Sequence, residues 1–331
     1  MALLNESIPG LRFGQKILPS EILGEGFTVY GNVYYVDADN GSDSNTGTEP
    51  STAFKTVAKA YTQVTTNHDD VIVLSAYSAH ALTSMLTIAK SRVHFVGAAM
   101  MARQRGPRTR IEMTGAGADT DITMVLNTGT GNTFHNIKFS CTCTNAYNLS
   151  AVTDCGPNSY WENCEFQAQG SAHLTNANAA SLILSSGEGI YKNCGIGQWQ
   201  LLTTSTAGQE LLIKAQAGYG SGKAGGNIFQ NCYFEAYTSD TTHAFVRGAA
   251  GSINSSTVNF NDCVFENRST VATSGVELNQ AIVLTAASGG RLNLAYPRVF
   301  GAGNGSTSTG VYIACPAFGS VASDWVSAQS S

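Results

Sequence analysis

Apolar and polar positions alternate in short bursts along the middle of the chain, and one burst occurs five times. Set Ile137, Cys164, Cys194, Cys232 and Cys263 as position zero. Position −3 is then aromatic throughout: Phe134, Trp161, Tyr191, Phe229 and Phe260. Position −1 is Asn136, Asn163, Asn193, Asn231 and Asp262, and position +2 is Phe139, Phe166, Ile196, Phe234 and Phe265. Positions −2 and +1 vary freely. An apolar residue at zero and at +2 with a variable residue between them is the period-2 pattern of a strand with one buried face. Asn at −1 suits a tight bend, because it tolerates the left-handed region and bonds its own backbone. Successive repeats lie 27, 30, 38 and 31 residues apart. One short strand cannot fill such an interval, so each repeat holds several. Apolar triplets at 124–126, 182–184, 211–213, 244–246 and 282–284 supply another strand near each repeat. A bend and a strand repeated in this way describe one coil of a parallel β-helix. Stacking at ~4.8 Å per coil sets like residue on like residue, so the aromatic, the amide and the thiol should each form a column.

The flanks differ from the coil. Strands are expected at 71–75, 86–89, 92–96 and 109–113. Residues 53–65 carry apolar positions at helical spacing, and Ser51 or Thr52 could cap them after Pro50. A solenoid needs its open end covered, so a cap helix at about 52–65 is expected. Residues 1–30 are broken by glycine and proline yet rich in Leu, Ile and Phe. A solvated tail would carry more charge, so they read as an extended docking arm. The pattern fades after 285. Residues 291–300 read as the last coil, and 301–331 as a loop followed by a C-terminal cap. The fold class expected is all-β: a single right-handed parallel β-helix over 31–300, with the arm at 1–30 and the caps at its two ends.

These motifs carry a resemblance. The Asn-Cys-x-Phe steps, the run from Tyr34 through Asp37, Asp39, Gly41, Asp43 and Asn45 to Gly47, the stretch Ala53–Ala60 and the strand 70–74 together resemble the pectin-lyase-like right-handed β-helices, especially phage-encoded members. The resemblance covers residues 31–300. It is specific for fold and weak for function, because the same coil hosts lyases, hydrolases and inert virion parts.

Composition narrows the choice. Only 12% of residues are charged, and the net charge is −5, so no basic footprint for nucleic acid is present. Apolar runs are too short to span a membrane, and residues 1–7 lack the form of a signal peptide. Of eight cysteines, four share the inward zero position, where a free thiol acts as a small buried hydrophobe. Cys141-Thr142-Cys143 lacks zinc or redox spacing. Asp37, Asp39, Asp43 and Asn45 alternate like oxygen ligands of calcium, but Thr48 stands where an EF-hand would place glutamate. An Asx-rich turn is the expectation, with calcium at the 37–47 loop left open. Four arginines within 103–110 could meet an acidic partner, or form a solvated loop. The six histidines, His68, His80, His94, His135, His173 and His243, show no metal spacing. Glycoside hydrolysis needs two carboxylates a few ångströms apart. Neither the −2 nor the +1 column stacks two acids, and Glu162 with Glu165 beside Trp161 is the one close acidic pair. No catalytic, cofactor or metal residue is therefore assigned.

The expectation is a phage virion structural protein decorating a capsid and docked on another virion protein through residues 1–30. The resemblance implies a trimer about the coil axis. Two alternatives remain: a tailspike-like protein that binds or depolymerises bacterial polysaccharide, and a pectate-lyase-like enzyme.

Overall fold

The computed structural model describes residues 30–99, 109–115, 122–198, 200–204, 206–215, 223–253, 257–271, 276–285, 290–304, 306, 308 and 311–314. The expected arm at 1–29 and the arginines at 103, 105 and 108 lie outside the described residues, as does 315–331.

Among the described residues, three parallel sheets of ten, seven and eight strands run along the axis, and each complete coil contributes one strand to each. The chain is a right-handed parallel β-helix. Every expected strand is present. Two strands that the apolar pattern does not mark, Ala79–Ala81 and Ser150–Asp154, complete their coils. Ser150, Thr153 and Asp154 of the second are polar and fully buried, so hydrophobicity could not reveal it.

The columns stand as the repeat requires. Trp161 pairs in register with Phe134 and Tyr191, and Phe229 pairs with Tyr191 and Phe260. The rings stack down the axis, with centroids 3.7 Å apart for Phe134 and Trp161 and 4.5 Å apart for Tyr191 and Phe229. Asn136, Asn163, Asn193, Asn231 and Asp262 all take φ between +53° and +58°, the left-handed bend that short polar side chains tolerate. The thiols of Cys164, Cys194, Cys232 and Cys263 each donate to the carbonyl of the aromatic residue one coil back, at 3.2–3.5 Å. All seven described cysteines are buried. The pattern also persists past 285 without its cysteine. Leu294, Tyr296 (φ +53°) and Val299 take positions −3, −1 and +2, and Val299 pairs with Phe265. Val311–Ala314 then adds a tenth strand beside Arg291–Ala295.

The capping helix spans Val57–Gln63, narrower than the expected 52–65. Its N-cap is Thr56, not Ser51 or Thr52; the Thr56 side chain accepts from Lys59 N. The start is displaced because Phe54 bridges to Val36, and Asp43 accepts both Lys55 N and Thr56 N. Val57, Ala60 and Val64 close the end of the core, and Tyr61 stacks on Phe95. Lys90 Nζ binds the carbonyls of Tyr61, Thr62 and Val64 at the helix C-terminus, where a cation is favoured. In the 37–47 loop, Asp37 accepts the amides of Asp39 and Asn40, and Asn45 donates to Ala53 O. This is the Asx-rich turn expected there.

Candidate functional site

In a sheet of stacked coils, a functional group is placed by its column. Glu162 and Glu165, the acidic pair visible in sequence, are not neighbours in function. The left-handed bend at Asn163 turns the chain between them, so Glu162 belongs to the ten-stranded sheet and Glu165 to the eight-stranded one. Glu162 binds Lys192 Nζ at 2.9 Å and accepts the Tyr160 hydroxyl at 3.1 Å, with His135 at 3.6 Å. Burial holds the His135 imidazole down at about 4, against the pull of Glu162, and pushes the Tyr160 hydroxyl up to about 12. Glu165 pairs with Lys138 at 3.2 Å. Each acid is neutralised separately.

The outer face of the eight-stranded sheet holds a different pair. Glu235 and Glu266 occupy the same column on adjacent strands, in register. Arg268 Nε lies 2.7 Å from Glu235 Oε1 and 3.4 Å from Glu266 Oε1. Burial raises the Glu235 carboxyl above the ordinary range, and Arg268 opposes the shift. On the strand to one side, Gly195–Gly197, Gly195 presents no side chain and Gly197 is buried. Gly197 has φ +114°, and a Cβ there would collide with the carbonyl oxygen of Glu235. Even alanine is excluded. Gly195 leaves a gap one residue wide between Glu165 and Tyr233 on the neighbouring strands, while Gln167 and Gly197 beyond it are buried. One Glu165 oxygen, Oε2, is buried there without a hydrogen-bond partner. On the other side, Phe300 pairs with Glu266 and is 56% exposed, with the exposed Arg298 two residues earlier. An acid pair between the gap at Gly195 and an exposed ring is suited to a polar polymer that also presents apolar faces.

Sequence reasoning missed this pair because it weighed the −2 and +1 columns. The acids occupy +3, which reads Ser140, Gln167, Gly197, Glu235, Glu266. The histidines are dispersed. His68 contacts Asp70 at 2.7 Å, His94 contacts Thr133 at 2.8 Å, and His80 is buried near Ser75 with its pKa lowered to about 4 by burial. His173 and His243 alone converge, on the buried Glu210. Among the described residues no group of three such side chains is arranged to hold a metal ion. No described helix is long and apolar enough to cross a membrane.

No protein-family profile matches the chain, and no curated protein sequence is similar to it. Solved structures are similar in shape. A pectate lyase, Pel9A, superposes with a TM-score of 0.57 at 13% identity, covering 82% of this chain and 64% of the lyase. A rhamnogalacturonan lyase gives 0.54 at 15% identity, covering 80% of this chain and 67% of that one. The fold shared with them is the right-handed parallel β-helix. The chain thus spans about two thirds of the length of these two lyases. The β-helix neighbours extend to a pectin methylesterase from carrot, at a TM-score of 0.47 and 15% identity. At such identities the likeness is one of architecture, and chemistry must be argued from this chain's own residues.

Proposed function

We propose that the protein acts on an extended polysaccharide laid along the outer face of the eight-stranded sheet, with Glu235 and Glu266 as the reacting carboxylates. The observation that carries this reading is the in-register acid pair with Arg268 between its two carboxylates. Glycosidic hydrolysis uses one carboxylic acid to protonate the leaving oxygen and one carboxylate to activate water or attack the sugar. Glu235, whose proton burial retains to higher pH, is the donor. The shared contact of Glu235 and Glu266 with Arg268 Nε holds the two carboxyls at the closer, retaining spacing. Glu266 therefore attacks the anomeric carbon as the leaving oxygen takes the proton of Glu235. Glu235 then takes a proton from the water that displaces Glu266. Arg268 balances the second negative charge and fixes the spacing of the two acids. The lyases that share this fold support a polysaccharide as the ligand class. The test is release of reducing ends from a panel of plant and bacterial polysaccharides. Glu235→Gln and Glu266→Gln should each lower the rate about a hundredfold or more while substrate is still bound. Unsaturated products would instead assign eliminative cleavage. No release from any polymer, or full activity in both variants, would remove the reading.

A second reading, a capsid-decorating virion protein, rests on sequence: the charge-poor composition and the apolar residues 1–30. Copy number in purified particles tests it, and so does deletion of residues 1–30, which should abolish particle association.

A further inference from the structure

One cluster of titratable groups lies away from the carboxylate pair. His173 comes from the short helix Ser171–Thr175, in the crossing from the eight-stranded to the seven-stranded sheet. Glu210 lies on the strand Gln209–Ile213, and His243 sits just before the strand Ala244–Gly248 of the next coil. All three are buried. His243 Nε2 stands 3.3 Å from Glu210 Oε1, and His173 Nε2 stands 3.6 Å from Oε2, which also accepts the Ser181 hydroxyl at 3.0 Å. Both ring nitrogens of each histidine, and Glu210 Oε1, lack a hydrogen-bond partner.

Buried polar groups are nearly always satisfied, so five such atoms in one place need a physical account. The nearest other charges are engaged elsewhere. Glu235, across the corner, is held by Arg268. Asp240 accepts the Thr242 amide and hydroxyl. Arg247 binds Gln209 Oε1 and Thr242 O. Among the described residues, Glu210 is therefore the one carboxylate in contact with both imidazoles, while Asp240 acts on His243 from farther away. Glu210 can compensate one imidazolium but not two. The imidazoles approach different oxygens of Glu210, and the three side chains are not arranged to hold a metal, so a proton is the cation that fits.

We propose that His173, Glu210 and His243 form an acid-responsive latch, in which protonation of the second imidazole releases the helix Ser171–Thr175 from the corner between the two sheets. With Asp240 acting on His243, a second positive charge leaves His173 only the shared Glu210, and the least costly relief is to move this more peripheral group into water. His173 is that group, since its helix is one short turn in a crossing loop whereas Glu210 and the strand after His243 are laddered into the sheet. The sign is consistent. Burial, the largest influence, holds His173 below the ordinary histidine value. Such a group stabilises the fold above its unfolded pKa of ~6.5, and that contribution is lost as pH falls below it.

Hydrogen exchange on the full chain tests this, at about pH 7.5 and about pH 5, either side of the ordinary histidine range, with correction for intrinsic rates. In the wild type, peptides spanning Ser171–Thr175 should lose about tenfold in protection on acidification, while those spanning Cys164–Phe166 and Cys194–Ile196 keep theirs. The double variant His173→Gln/His243→Gln should show the same protection at both values. Glu210→Gln, which removes the counter-charge, should move the loss to higher pH and serves if the double variant does not fold. Equal wild-type protection at both values, an identical loss in the double variant, or stoichiometric zinc uptake at neutral pH that Glu210→Gln abolishes would each overturn the proposal.

Discussion

Asp154 and Glu210 are both fully buried carboxylates, and they differ in almost everything except burial. Asp154 accepts from Asn127 Nδ2, Gly156 N, Ser159 Oγ, Trp161 Nε1 and Tyr191 OH at 2.6–3.1 Å. Its donors come from three successive coils, two of them members of the aromatic column. Burial raises its carboxyl pKa, and the hydrogen bonds from Ser159, Tyr191, Asn127 and Trp161 oppose the rise. Glu210 has one hydroxyl donor and two imidazoles that do not complete hydrogen bonds. A buried acid is therefore not a functional signal in itself. What separates a structural acid from a responsive one is whether its lone pairs are filled.

Three substitutions probe that contrast. Asp154→Ala should have the largest effect, roughly 3–5 kcal/mol by urea denaturation, since it strands several buried donors at once. Trp161→Phe keeps the ring stack but leaves Asp154 one donor short, and should cost about 1–2 kcal/mol. Glu210→Gln should change stability at neutral pH by about 1 kcal/mol or less, because little in its site is bonded well enough to lose. A loss for Glu210→Gln as large as that for Asp154→Ala would erase the distinction. A null result for Asp154→Ala would show that its donors find other acceptors.

What could be read from sequence follows the same line. The column of Phe134, Trp161, Tyr191, Phe229 and Phe260 was legible because aromatic, amide and thiol recur at fixed offsets around one bend. Offsets hold only while strand length holds, and they fix register close to the bend. Glu235 and Glu266 lie three residues past it, in a column that begins with Ser140, Gln167 and Gly197 and so shows no acidic theme. Glu162 and Glu165 misled for the complementary reason: adjacency in sequence spans a corner in space. His173, Glu210 and His243 are 37 and 33 residues apart, close to the repeat interval of the later coils. That spacing was a usable signal, but His173 sits in a crossing loop whose path no periodicity fixes. Asp154 was visible as a residue but not as a hub, because its partners Ser159, Trp161 and Tyr191 meet only after two coils have stacked.

The in-register stacking of the eight-stranded sheet has one more consequence. Every outward position on that face recurs at equal steps of ~4.8 Å along the axis, so the surface is graduated like a ruler. A partner built from identical units and lying parallel to the axis can match one mark only by matching several. Sliding it by a single step replaces the Glu235 and Glu266 marks with Gly197 and Glu235, so the graduations themselves tell one alignment of such a partner from the next.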